Sequence, residues 1–264
     1  GHWGAPTLGV VGAGLASVIS NAVALILALI IIITKYGTIW HVSFSGFWDR
    51  KELLIIFRTN SNLFGRTLCL QFVQFSTLAL VSRLGEIPLA ANAVIWQLWG
   101  LSSFAVDGFA HSAETLIGNL IGEKRYKETR LLAKRVICWG VFVGSIFGVI
   151  FTFFLDLLAR LFTVHSDVAL LVGSLWWIVA PMQPLNAIVF VLDGIFIGAN
   201  DIRYMFHAML VSVFVFFSPL AVFLFYFLDL GMKGVWLAYC GLMVGRLLTL
   251  WPRYANDHWI KGFD

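Results

Sequence analysis

Charged residues are sparse and clustered along this chain, so hydrophobic positions run on for long stretches between them. Uncharged runs occupy residues 1–34, 87–106, 136–155, 168–192 and 204–228. Each can cross a hydrocarbon core of about 30 Å, which takes about 20 residues at about 1.5 Å per residue. Two further apolar stretches, 60–82 and 234–252, carry one arginine each, Arg66 and Arg246. The pattern predicts seven transmembrane helices and an all-α, polytopic membrane bundle. It lacks the alternating apolar and polar segments of about 10 residues that mark a membrane barrel. Backbone in lipid has only those two closed solutions.

Composition agrees with the pattern. Of 264 residues, 60% are hydrophobic and 12% charged, about half the charged share of a soluble domain, which is about 25%. Cys69, Cys138 and Cys240 sit singly in apolar runs, without metal-ligand spacing, and read as small buried residues. The opening segment has neither a basic leader nor a small-residue cleavage site, so a signal peptide is not expected.

The basic residues set a direction. Thirteen Lys and Arg (35, 50, 51, 58, 124, 125, 127, 130, 134, 135, 203, 253, 261) fall on one side when loops are assigned alternately, and three (83, 160, 233) on the other. Since the positive side faces the cytoplasm, the N-terminus is expected outside and the C-terminus inside, in a plasma (inner) membrane. The pI of about 9.1 follows from this bias and calls for no nucleic acid. The basic cluster at 123–135 is a topology signal beside anionic lipid. Segment 44–57 (FSGFWDRKELLIIF) reads as an amphipathic surface helix.

The first and last spans share a pattern. GVVGAGLA places Gly9, Gly12 and Ala16 on one face, and GMKGVWLA does the same with Gly231, Gly234 and Ala238. Small residues at that spacing let a neighbouring helix approach closely. Both spans run in the same direction with six spans between one start and the other, as a parallel duplication of six-helix units would give. The expected organisation is therefore 1–36 as the last helix of an N-terminal lobe, 37–58 as a cytoplasmic linker, and 59–264 as a second lobe. On this reading the chain is truncated and the rest of its N-terminal lobe is missing.

Two stretches carry a family resemblance. DGFAHSAETLIGNLIGEKR (107–125) resembles the long eighth helix of multidrug and toxic compound extrusion (MATE) transporters, particularly their DinF-like branch. QPLNAIVFVLDGIFIGANDIRYM (183–205) is similar to their tenth helix and following loop. The resemblance covers essentially the whole chain as helices six to twelve. It implies an antiporter exporting small amphipathic or cationic substrates, coupled to inward proton or sodium movement. It also implies that Asp193, at the tenth-helix aspartate position, is a cation or proton site. The first-helix aspartate on which the DinF-like branch relies is absent. Where some members carry a seventh-helix glutamate, this chain reads TLCLQFVQF, with Gln71 and Gln74.

Charges inside a span cost about 2.5–3.5 kcal/mol on insertion scales and so need a reason. Asp193 closes a long uncharged run; a buried carboxylate there can bind and release a proton or cation, or neutralise an arginine. Asp107 and Glu114 are two helical turns apart and share a face with Ser103 and His111. Asp107 is a second coupling candidate; a cap or loop contact suits Glu114. Arg66, Arg246, Asp107 and Asp193 fall at similar depth, and we expect an ion-pair layer there, with snorkelling of the arginines as the alternative. Nearer the midplane lie Gln71, Gln74, Gln183 and Asn186, candidates for a substrate or cation cavity. Pro181 and Pro184 free backbone carbonyls beside Gln183 and Asn186; inter-helix hydrogen bonding is the competing role. The 11 Trp and 24 Phe suit cation–π binding and lipid contact alike.

No G-x-S-x-G, H-E-x-x-H, phosphate-binding glycine loop or CxxC occurs, so no enzyme, metal or cofactor is expected, and transport would be ion-driven. A lipid-linked oligosaccharide flippase of the same superfamily is the alternative, although only two buried arginines are available for its pyrophosphate; an inactive fragment is another. A seven-helix receptor shares the topology but lacks its D-R-Y, N-P-x-x-Y or last-span lysine signals.

Overall fold

The computed structural model describes residues 9–35 and 50–260. Packing divides the chain into two compact units, Gly1–Leu54 and Ile55–Asp264. The first contains α1 (Gly9–Lys35), uncharged up to its terminal lysine.

The second unit is helical throughout its described residues. Helix α2 (Arg50–Ser82) enters it, followed by α3 (Glu86–Gly122), α4 (Tyr126–Phe162), α5 (Ser166–Gly173) and α6 (Trp176–Gly198). The chain then runs through α7 (Ile202–Val211), α8 (Ser218–Val222) and α9 (Gly231–Ala255). Seven segments are long and apolar enough to span a membrane: Gly14–Lys35, Leu53–Ser82, Glu86–Gly122, Tyr126–Leu155, Trp176–Gly198, Ile202–Phe227 and Gly231–Ala255. The protein is an all-α, multi-pass membrane bundle.

Three boundaries depart from the sequence reading. Helix α3 continues past residue 106 to Gly122 because its apolar stripe continues: Val106, Ala110, Ala113, Ile117 and Ile121 are buried at helical spacing, while Asp107 and Glu114 occupy other faces. The run 168–192 is broken, with Ser174 and Leu175 separating α5 from α6. Of the expected surface helix at 44–57, residues up to 49 lie outside the described set, and Arg50–Phe57 form the first turns of α2.

The reversals are closed locally. After α6, Asn200 adopts φ 55°, and the amides of Asn200 and Asp201 donate to Ile197 and Phe196 carbonyls at 2.9 Å, the paired bonds of a Schellman stop. Between α7 and α9 the helix widens twice into π turns, Ser212–Phe217 and Phe223–Phe227. Pro219 lacks an N–H, and its ring would crowd the carbonyl four residues back in an α turn. The preceding turn is wound wide instead, with Ser218 Oγ donating to the Val213 carbonyl at 2.9 Å.

Helix α6 is the axis of the unit. A methyl placed on Gly144 of α4 would lie 2.7 Å from the Gln183 carbonyl oxygen and the Ala187 Cβ of α6. One placed on Gly194 of α6 would lie 2.2 Å from the Ala110 carbonyl oxygen of α3. Glycine at these crossings lets three backbones meet without an intervening side chain.

Candidate functional site

Asp193 stands on the face of α6 that also carries Gln183, Asn186 and Phe190. It is buried, at 5% exposure, and the helix continues beyond it to Gly198, so the carboxylate lies within the span rather than at its end. Arg66 of α2 and Arg246 of α9 each donate through Nη2 to the same Asp193 oxygen, Oδ2. The guanidinium of Arg246 lies 5.8 Å above the Phe190 ring, and its Nη1 approaches the Met243 sulfur at 3.7 Å. Arg246 is also buried, so removing the carboxylate would strand a cation in low dielectric. The other carboxylate oxygen, Oδ1, and Arg66 Nε are buried with no hydrogen-bond partner among the described residues.

A cavity of about 260 Å³ adjoins this cluster, lined by Arg66, Asp107, Ala110, His111, Glu114, Phe190, Asp193, Gly194 and Ile197. Asp107 is half-buried and forms no ion pair among the described residues. His111 Nδ1 lies 3.5 Å from Glu114 Oε2 on the adjoining turn. The structure thus joins Arg66, Arg246 and Asp193 directly, and Asp107 shares their cavity without touching either arginine.

The amide residues separate into different roles. Gln183 Nε2 donates to the Val179 carbonyl at 2.9 Å, and its Oε1 accepts from Ser102 Oγ of α3 at 2.7 Å, so it ties α6 to α3. The Ala180 carbonyl, freed by Pro184, would meet a methyl on Gly148 at 3.0 Å; it packs on α4 and does not face a cavity. Asn186 is buried with both amide atoms unpartnered among the described residues. Gln71 and Gln74 are exposed, and Gln74 lines a cavity of about 550 Å³ between α2 and α3 with Leu78, Leu89, Asn92, Ala93 and Trp96.

Two features escaped the sequence reading. Asn92 and Ser102 are buried polar residues of α3, each a lone polar residue in an apolar run and recognisable only once the helix face is known. Arg253 of α9 binds Asp201 bidentately, Nε to Oδ2 at 2.5 Å and Nη2 to Oδ1 at 3.1 Å, and its guanidinium lies 4.5 Å over the Tyr204 ring. Burial pushes the Asp201 carboxyl up, against the pull of Arg253. Among the described residues no three His, Cys, Asp or Glu side chains are grouped to hold a metal ion.

A family model described as MatE matches residues 63–223. The chain belongs to the MatE family. Protein DETOXIFICATION 43 of Arabidopsis thaliana is 28% identical over 253 residues, covering 94% of this chain and 46% of its own length. The multidrug resistance protein NorM of Vibrio cholerae is 27% identical over 275 residues, covering 97% of this chain and 59% of its own. The chain therefore spans about half the length of the curated MatE relatives it matches. The crystal structure of the Vibrio cholerae MATE transporter VcmN in its bent form superposes with a TM-score of 0.68 at 18% identity, over 77% of this chain and 46% of that one, a likeness of fold. The MatE proteins matched are transporters rather than enzymes.

Proposed function

We propose that this chain is the C-terminal part of an ion-coupled antiporter that exports organic cations, drugs or metabolites. Residues 1–36 would end one six-helix lobe, 37–58 would link the lobes, and 59–264 would form the second. The N-terminus lies outside and the C-terminus is cytoplasmic, in the plasma membrane. The observation that carries this reading is the buried Asp193, held at one oxygen by guanidiniums from two different helices. A structural charge in a membrane bundle is expensive, and this one links α2, α6 and α9 through contacts that depend on a single negative charge.

The chemistry follows from that charge. A proton on Asp193 removes the attraction to Arg66 and Arg246 together, which frees the inner end of α2 from α6; a sodium ion competing for Asp193 or Asp107 does the same. Loss of the ion on the other side re-forms the pair. Because a ligand shifts two conformations only by its differential affinity for them, substrate and ion exchange through the state in which the clamp is closed or open. A second reading, an anionic metabolite as substrate, is favoured by the excess of guanidinium over carboxylate in the clamp itself.

Ethidium efflux by the full-length protein, driven by an imposed proton or sodium gradient, tests this reading. Coupled efflux is expected for the wild type and at least a tenfold slower rate for Asp193→Asn. Unchanged efflux in the variant removes Asp193 from the mechanism. Transport of organic anions but not ethidium selects the second reading, and no transport by the full-length protein favours a flippase or an inactive product.

A further inference from the structure

The cavity of about 550 Å³ between α2 and α3 lies far from the clamp. Along α3, Asn92 and Asp107 are fifteen residues apart, about 22 Å at about 1.5 Å per residue. No ionisable side chain lines the cavity; its walls are Leu78, Leu89 and Ala93, the amides of Gln74 and Asn92, and Trp96. Two observations set it apart from an ordinary crevice. Asn92 is 2% exposed, yet its amide makes no hydrogen bond among the described residues and its Oδ1 is buried and unpartnered. Buried polar atoms in folded proteins are almost always paired, so a buried amide left open toward a cavity marks a place where something else supplies the donor.

The second observation is the wall behind it. Trp96 lies 5.7 Å from Trp236 and 5.2 Å from Tyr239, ring centre to ring centre, and Trp99 lies 5.8 Å and 5.1 Å from the same two. Trp99, Trp236 and Tyr239 are buried, whereas Trp96 is only partly so. Three rings thus hold the fourth in place with part of its surface toward the cavity. A ring fixed in this way loses little entropy on binding a ligand, and tryptophan offers the strongest face to a cation.

We propose that this cavity is a substrate subsite for a planar aromatic cation bearing an N–H donor: the ring system stacks on Trp96 and the N–H donates to Asn92 Oδ1. Its volume is within the range of drug-binding pockets, about 300–1,000 Å³. The absence of lining charge favours a delocalised cation, which sheds its hydration cheaply, over a carboxylate or phosphate. The proposal rests on the export reading and deepens it, because it separates substrate recognition at Asn92 and Trp96 from ion handling at Asp193.

The test is equilibrium binding of ethidium to the purified full-length protein in detergent, followed by fluorescence anisotropy, with thermal unfolding of every variant. Trp96→Leu is expected to weaken binding about tenfold, the scale of a desolvated cation–π contact, while Trp96→Phe stays within about threefold of the wild type. Asn92→Leu is expected to weaken binding about fivefold, the loss of one hydrogen bond, and to raise Tm, since it removes an unpaired buried amide. Opposite signs for affinity and stability in Asn92→Leu would not arise from a structural asparagine. Wild-type affinity in both Asn92→Leu and Trp96→Leu, or no saturable ethidium binding by the wild type, overturns the subsite. If gradient-driven ethidium efflux persists in either case, the export reading stands without it.

Discussion

Against α4, helix α6 packs through glycines, and a methyl on Gly140 would come within 2.7 Å of the Val191 side chain; against α2 it is joined by an ion pair beside a cavity of about 260 Å³. The burial of the two partners follows: 72% of the α6 span is buried, against 22% of the α2 span. Close-packed contacts have no intermediate positions, so α3, α4 and α6 move as one body or not at all. A contact made of charge responds to one proton or one cation. The comparison separates a rigid frame from a wall that chemistry can release, and a membrane antiporter needs both.

Four substitutions probe that contrast, and thermal unfolding in detergent reads each of them. The largest effect is expected from Asp193→Asn, which leaves Arg246 buried without a counter-charge and should cost about 3–5 kcal/mol. Adding Arg66→Gln to it should cost less than the sum of the two single changes, by about 0.5–3 kcal/mol; strict additivity would mean that Arg66 and Asp193 are not coupled. Next comes Gly144→Ala, where the new methyl collides with α6 backbone and should cost about 1–3 kcal/mol. If it is neutral, the α4–α6 contact is looser than described. Ser102→Ala loses the bond to Gln183 and should cost about 1 kcal/mol. The smallest effect belongs to Gly108→Ala, where nothing lies within 4 Å of the added carbon, and a change within about 0.5 kcal/mol is expected.

Much of the fold was legible because lipid imposes length and apolarity on every span, and charge runs mark the gaps. Where the reading erred, a local signal competed with a tertiary one. Asp107, His111 and Glu114 looked like the edge of the bilayer, yet they ride on a helix whose opposite face is still apolar. The break at Ser174 and Leu175 carries only Gly173 as a clue. In the site, Arg66, Arg246 and Asp193 could be placed at one depth from span directions alone, but not which carboxylate oxygen both arginines use, nor that Asp107 stays apart. Asn92 could not be singled out, since one asparagine in AANAV reads the same whether it bonds a neighbour or faces a void. Gln183 was legible as a polar residue at the midplane; its tie to Ser102 depends on how α3 and α6 cross.

The wide turns around Pro219 have an evolutionary reading. A π turn carries one residue more than the helix beside it requires, so deleting a residue from 212–217 would restore ordinary winding and advance everything after it by about 100°. The Phe216 and Leu220 side chains that lie against Gly245 and Gly241 would then swing to another quadrant of the bundle. Length in this stretch is under the same constraint as identity: a relative one residue shorter here should carry compensating bulk where α9 now has glycine.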